Sequence, residues 1–300
     1  MIASGWPLIL CAALLWGTTG TAQTLAPTSA TPAAIGALRL IVGGSGLLVV
    51  AVLTRQALSV KGLPVVPLLL AALAMAVFQV CFFESVRRTG VAIGTLVTIG
   101  SAPMVAGLLA WVVGRRGPGR RWEVATALAI AGCALLVLAP MLSAAQAGGV
   151  GDLSDSLQLM GVGMGVASGS GYALFVAASK RLVAVGAPVT VMAIVFCLAG
   201  LLLSPVLIGA DLGWIVTPVG LGVLAHIGLV TNGGAYWLFA RGLQHTAAPT
   251  ATTLTLAEPL TATILGILVV GERLTVWSGL GAGLLLMGLL VVATDRGRRT

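Results

Sequence analysis

Ten runs of apolar residues follow one another along this chain, each close to the roughly 20 residues that carry an α-helix across a bilayer. They fall near 5–24, 32–53, 65–88, 91–113 and 122–142, and again near 158–181, 186–208, 216–242, 247–270 and 275–294. Transmembrane strands would read as short segments alternating every second residue, so the pattern predicts an all-α integral membrane protein of ten transmembrane helices. The longest polar break, 143–157, is rich in Gly, Ser and Asp. It divides the chain into two sets of five helices, 1–142 and 158–300.

Composition strengthens that reading. Hydrophobic residues make up 58% of the chain and charged ones only 8%, against about 25% charged in a soluble domain. Forty-one glycines suit helices that must approach closely where lipid supplies no hydrophobic drive. Cys11, Cys81, Cys133 and Cys197 lie inside apolar runs without ligand-type spacing, which argues against a disulfide framework or zinc site and calls for no cofactor or metal. The first run has no Lys or Arg before it and leads directly into further spans, so it is read as a mature helix rather than a cleaved signal.

The net charge of +8 would suggest nucleic acid in a soluble protein, but here the basic residues sit in short loops at the membrane surface. With the N-terminus inside, the inner loops carry Arg55, Lys61, Arg115, Arg116, Arg120, Arg121, Lys180, Arg181, Arg241, Arg296, Arg298 and Arg299. The outer loops carry Arg87, Arg88 and Arg273, together with Asp152, Asp155 and Asp211. Both termini are therefore expected in the cytoplasm of a bacterial inner membrane, with 143–157 as a periplasmic linker. Five spans is an odd number, so the two halves must be inverted relative to each other.

The halves also match in sequence. Pro103 precedes Pro259, and Trp16 precedes Tyr172, by 156 positions; ESVRRT at Glu84–Thr89 precedes RGLQHT at Arg241–Thr246, and VVGRR ending at Arg116 precedes VVGER ending at Arg273, by 157. A shared offset across several helices points to duplication. Inverted repeats place substrate near the bilayer midplane, between the halves.

LLWGTTG at Leu14–Gly20, Arg39, FFESVRRTGVAIGTL at Phe82–Leu96 and AEPLTATILGILVVGERLT at Ala257–Thr275 together resemble the EamA family of the drug/metabolite transporter superfamily. The resemblance spans nearly the whole chain and implies ten helices in two five-helix EamA-type repeats. It further implies export of small metabolites, with an aromatic or other neutral amino acid as the expected cargo. One departure is visible: where the family usually carries an acidic residue at the end of the fourth helix, this chain has Arg115 and Arg116.

Candidate lining residues follow from polar and aromatic positions inside the apolar runs. Glu258 occupies the centre of the ninth run, where a carboxylate is costly and normally faces a cavity, a partner or a proton. It either binds a substrate amine or titrates during transport, or it is a structural group bonded to backbone freed by Pro259. Thr252 and Thr255 lead up to it at three-residue spacing; they line a cavity or bond their own backbone. Thr98 and Ser101 precede Pro103 in the same way, so the two prolines mark either paired helix breaks that build a binding site or kinks that serve packing alone. Trp16, Thr19 and Gln23 share one face of the first helix; Gln79 and Phe82 share one of the third. In the eighth run His226, Gly233 and Trp237 share a face, while Asn232 and Tyr236 lie on the adjacent one, and only one face need line the route. With Tyr172, the rings of Trp16, Phe82 and Trp237 offer surfaces to an aromatic or cationic group.

Arg39 and Glu84 are read as structural charges that could pair with each other. The spacings Gly161, Gly165, Gly169 and Gly279, Gly283 predict close helix packing, and the last helix could form a homodimer contact. Direct ATP drive lacks its GxxxxGK[ST] loop, leaving secondary or facilitated transport with protons as a candidate partner. Rival readings are transport of cationic drugs or other metabolites, an intramembrane protease using Ser168 or Ser170 with His226, and a nontransporting membrane partner.

Overall fold

A chain so poor in polar side chains must satisfy its peptide groups internally, and within a bilayer a helix does this without help from its neighbours. The computed structural model describes residues 5–24, 31–56, 62–114, 117–146, 159–265, 267–268 and 275–294. Regular structure among them is entirely helical. In chain order the helices are α1 (Trp6–Thr24), α2 (Pro32–Leu53), α3 (Val65–Gly114), α4 (Arg120–Gln146), α5 (Leu159–Leu182) and α6 (Pro188–Leu203). There follow α7 (Pro218–Gln244), α8 (Ala248–Leu254), α9 (Ala257–Leu265) and α10 (Val276–Thr294). Thr-Pro pairs start two of them: the Thr31 hydroxyl accepts from the Ala34 amide and that of Thr217 from the Gly220 amide, with proline at the first helical position each time.

The third and fourth predicted helices share one helical assignment in α3. It is nevertheless a hairpin, because a Cβ on Gly94 would lie 2.8 Å from the backbone of Val86, whereas eight residues of straight helix rise about 12 Å. Its limbs, Val65–Thr89 and Ile93–Val113, are each long and apolar enough to cross a membrane. Eight such spans are present among the described residues. Of the ten expected spans, eight thus meet that measure of length and apolarity. The first apolar segment, Trp6–Thr19, is shorter, and the ninth is split between α8 and α9. Most of the 143–157 linker lies outside the described residues.

Helix pairing follows the two halves. α1 packs on α7 and α9, while α5 packs on both limbs of α3; α2 pairs with α6, and α4 with α10. Exchanging the halves converts the first of these groupings into the second and returns the last two to themselves. Both self-paired contacts are antiparallel: Gly44 meets Cys197 while Ile41 meets Gly200, and Leu136 meets Gly281 while Ala125 meets Gly288. Inversion of one half relative to the other requires this.

Small residues create the approaches. A Cβ on Gly161 would fall 2.5 Å from Thr89, one on Gly165 2.8 Å from Val97, and one on Gly169 2.5 Å from the Thr98 carbonyl, so this glycine face of α5 seats in the α3 hairpin. In α10 the expected pair does something else. Gly279 and Gly283 face open space, and Gly281 and Gly288 make the contact with α4.

Candidate functional site

Two departures from regular helix bring the site together. The first lies between α8 and α9. Pro259 has no N–H, so it cannot bond the Thr255 carbonyl; the Glu258 amide takes that carbonyl instead at 3.0 Å, and Leu256 likewise reaches back only three residues, to Thr253. The helix ends at Leu254 and restarts at Ala257, with Glu258 in the first turn of the new segment. Gly17 of α1 lies against this break, where a Cβ would sit 2.5 Å from Thr261 and 2.8 Å from the Glu258 carbonyl.

The second departure is a π-helical stretch, His226–Gly234, inside α7. The Ala235 amide bonds the Val230 carbonyl, five residues back, and the wider turn shifts the face that later residues present. The two faces of the eighth run meet different surroundings. Tyr236 turns inward, with its ring 4.6 Å from that of Trp16 and 4.7 Å from that of Phe196. Trp237 is half-buried beneath the Arg241 guanidinium, 5.2 Å from its ring centre. His226 bonds Thr18 of α1 at 2.8 Å. The expected shared face of His226 and Trp237 is thus divided by the change of helical pitch.

Trp16 donates its indole N–H to the Thr231 carbonyl at 2.8 Å. From it the rings run through Tyr236 to Phe175, thence to Tyr172 and Phe78, and on to Phe82, with successive centres 4.6–6.1 Å apart. Pairs of this geometry add about 0.5–1.5 kcal/mol each beyond their area burial. The Tyr172 hydroxyl is buried without a hydrogen-bond partner of good geometry, as is the Asn232 side-chain amide nitrogen.

Beside these rings stand two opposite charges. Arg39 of α2 donates to the Gln79 carbonyl oxygen at 2.9 Å, and the Gln79 amide donates to the Gly36 carbonyl at 3.3 Å. Gln79 is only 1% exposed. Arg39 and Glu258 are both half-buried and within Coulombic reach of each other and of Tyr236. Tyr172 of α5 and Cys133 of α4 also feel Glu258. No ion pair joins Arg39 to Glu258, and the Arg39 Nε is buried without a partner.

The anticipated pairing of Arg39 with Glu84 does not form. Glu84 instead holds Arg87 at 2.6 Å and also binds Arg88, one turn along its own helix, and local partners of this kind win because they need no other helix to move. Thr252 and Thr255 bond carbonyls of their own segment at 2.8 Å and are buried. Thr98 is buried and Ser101 half-buried against Gly169, and α3 continues through Pro103 without a break. Thr19 is half-buried; the side chain of Gln23, like the Gly271–Arg273 end of the ninth run, lies outside the described residues. Ser168 bonds the Phe78 carbonyl at 2.9 Å and Ser170 the Val166 carbonyl at 2.7 Å, while His226 is engaged with Thr18. No serine–histidine pair for a protease is assembled there.

Comparison with known proteins matches this architecture. The EamA-like transporter family model fits residues 3–138 and again 159–294. The chain is 43% identical over 297 residues to the uncharacterized transporter YwfM of Bacillus subtilis (strain 168), covering 97% of this chain and 95% of that one. A crystallised protein of 18% sequence identity superposes with a TM-score of 0.80 over 96% of this chain and 95% of its own, which speaks to the fold alone.

Proposed function

From the membership of this chain in the EamA-like transporter family, we propose that it exports small metabolites, foremost aromatic or other neutral amino acids, by alternating access. The observation that carries this reading is that Arg39 and Glu258, one from each repeat, are both half-buried within Coulombic range of each other and of Tyr236. Charges deep in an apolar bundle are expensive and mark solute or proton pathways. The rings supply apolar and π surfaces for a side chain. A helix broken at Glu258 and a π stretch in α7 are points where the backbone can rearrange between states open to opposite sides. The sites belong to a multi-pass membrane protein, and the basic loops favour a bacterial inner membrane with both termini in the cytoplasm.

Cationic drugs fit less well, because Arg39 lies within Coulombic reach of the same carboxylate. Purified protein in liposomes, loaded with a panel of unlabelled amino acids and offered labelled ones outside, is expected to show saturable counterflow. Glu258→Ala should abolish it in protein that still unfolds cooperatively. A folded wild-type protein that exchanges none of the panel overturns the amino-acid assignment.

Glu258 also faces the question of coupling. Arg39 from α2, Tyr172 from α5, Tyr236 from α7 and Cys133 from α4 are the titratable groups within its Coulombic range among the described residues. A proton and a substrate ammonium compete for its oxygens, so apparent affinity should fall as pH drops through the titration of this carboxyl. Glu258→Gln cannot titrate and should flatten that slope. An unchanged pH profile in the variant counts against coupling through Glu258.

A further inference from the structure

We propose that Arg39 and Glu258 together bind the charged end of a zwitterion, with Arg39 taking the carboxylate through its unpartnered Nε–H and Glu258 taking the ammonium, so that a cargo must carry both. The inference rests on the transport reading above and adds which chemical ends the cargo presents and which side chain meets each.

Two opposite charges in a low-dielectric interior should close into an ion pair, since each alone is left without compensation for its lost hydration. Here no ion pair forms between them. A reason is visible on the arginine side. Gln79, itself tied to the Gly36 carbonyl, grips one end of the guanidinium. The Nε–H is left buried and unpartnered. A guanidinium has five donors in a fixed fork that matches a carboxylate, and among the described residues it makes one hydrogen bond, to Gln79. Gln79 is therefore a positioning residue, which aims the remaining donors without neutralising the charge.

On the acid side, the Glu258 carboxylate makes no hydrogen bond or ion pair among the described residues, although Pro259 fixes it in the first turn after the helix break. The buried Tyr172 hydroxyl, within Coulombic range of Glu258, has no hydrogen-bond partner of good geometry. The pair is also asymmetric. At the 156 offset that relates Pro103 to Pro259, the counterpart of Arg39 is Val195 and that of Glu258 is Ala102. Duplication thus left one cation in one half and one anion in the other, a polarity suited to a ligand that is itself polar end to end. A cargo carrying one charge would compensate one side chain and leave the other exposed to an apolar site.

The test needs no variant at first. Proteoliposomes exchanging labelled phenylalanine are challenged with unlabelled phenylalanine, with 2-phenylethylamine, which lacks the carboxylate, and with 3-phenylpropionate, which lacks the amine. The expected result is that each single-charge analogue competes at least about tenfold more weakly than phenylalanine, because a site built around a polar group rejects ligands lacking it. Arg39→Gln should then narrow the gap between phenylalanine and phenylethylamine, and Glu258→Gln the gap between phenylalanine and phenylpropionate. Arg39→Lys should restore part of the discrimination. Equal competition by all three on the wild-type protein overturns the zwitterion site while leaving amino-acid export standing. Failure of folded wild-type protein to exchange any amino acid overturns both.

Discussion

Pro103 and Pro259 occupy equivalent positions in the two repeats, yet the helix runs unbroken through the first and is interrupted at the second. The difference lies in what surrounds each proline. Thr98, Ser101 and Ala102 are clamped against Gly169 of α5, so the limb is held straight by close backbone contact. Around Pro259 the helix ends at Leu254 and resumes at Ala257. A half-buried carboxylate occupies the place that Ala102 fills with a methyl group. One copy of the motif became packing and the other chemistry, which teaches that a proline marks where a helix can break, while its neighbours decide whether it does.

The strongest way to break this contrast is to move the charge. Ala102 is 3% exposed and in contact range of Gly169, so Ala102→Glu puts an uncompensated carboxylate into a tight helix interface. The expected cost is about 3–5 kcal/mol, enough to lose most folded protein on thermal unfolding in detergent. It should not rescue flux in a Glu258→Ala background. Rescue would mean the two positions remain functionally equivalent.

A milder change separates the prolines themselves. Pro259→Ala restores an N–H able to reach the Thr255 carbonyl, closing the break and turning Glu258. Exchange should fall about tenfold or more, the loss expected when a binding group is misplaced by an ångström or so, in protein of wild-type stability. Pro103→Ala restores a bond in a limb that is already helical, and exchange should stay within about twofold. Equal effects on flux would show that the break is not part of the site.

Most of the fold was legible because lipid forces it: the ten apolar runs at 5–24 through 275–294 coincide with helical segments within a few residues wherever they are described. The site was legible only in part. Glu258, Gln79, Trp16 and Tyr172 stand out as polar or aromatic groups at helical spacing inside apolar runs, and all four meet near Arg39 or Tyr236. Tyr236 itself was one of two open faces, because a period of 3.6 cannot anticipate the π stretch from His226 to Gly234; the Asn232-Gly233-Gly234 run in mid-helix is the available hint. Arg39 invited a partner of opposite charge, whereas Arg87 and Arg88, three and four residues after Glu84, are the sequence signal that Glu84 is occupied within its own turn.

That last contrast, between a charge pair at a helix end and two opposite charges left unjoined inside, gives the smallest expected effect. Glu84 and Arg87 are bonded to each other at 2.6 Å, but the Arg87 side chain is 67% exposed, and exposed pairs within one helix contribute little because water and salt screen them. Glu84→Gln should leave both the midpoint of thermal unfolding and amino-acid counterflow within error of wild type. The joint exchange Arg39→Glu with Glu84→Arg should fail to recover what Arg39→Glu loses, because these two side chains have separate partners. A recovered double variant would show that Arg39 reaches Glu84 in some state of the transport cycle, and Gln79 would then be only one of two resting places for the guanidinium.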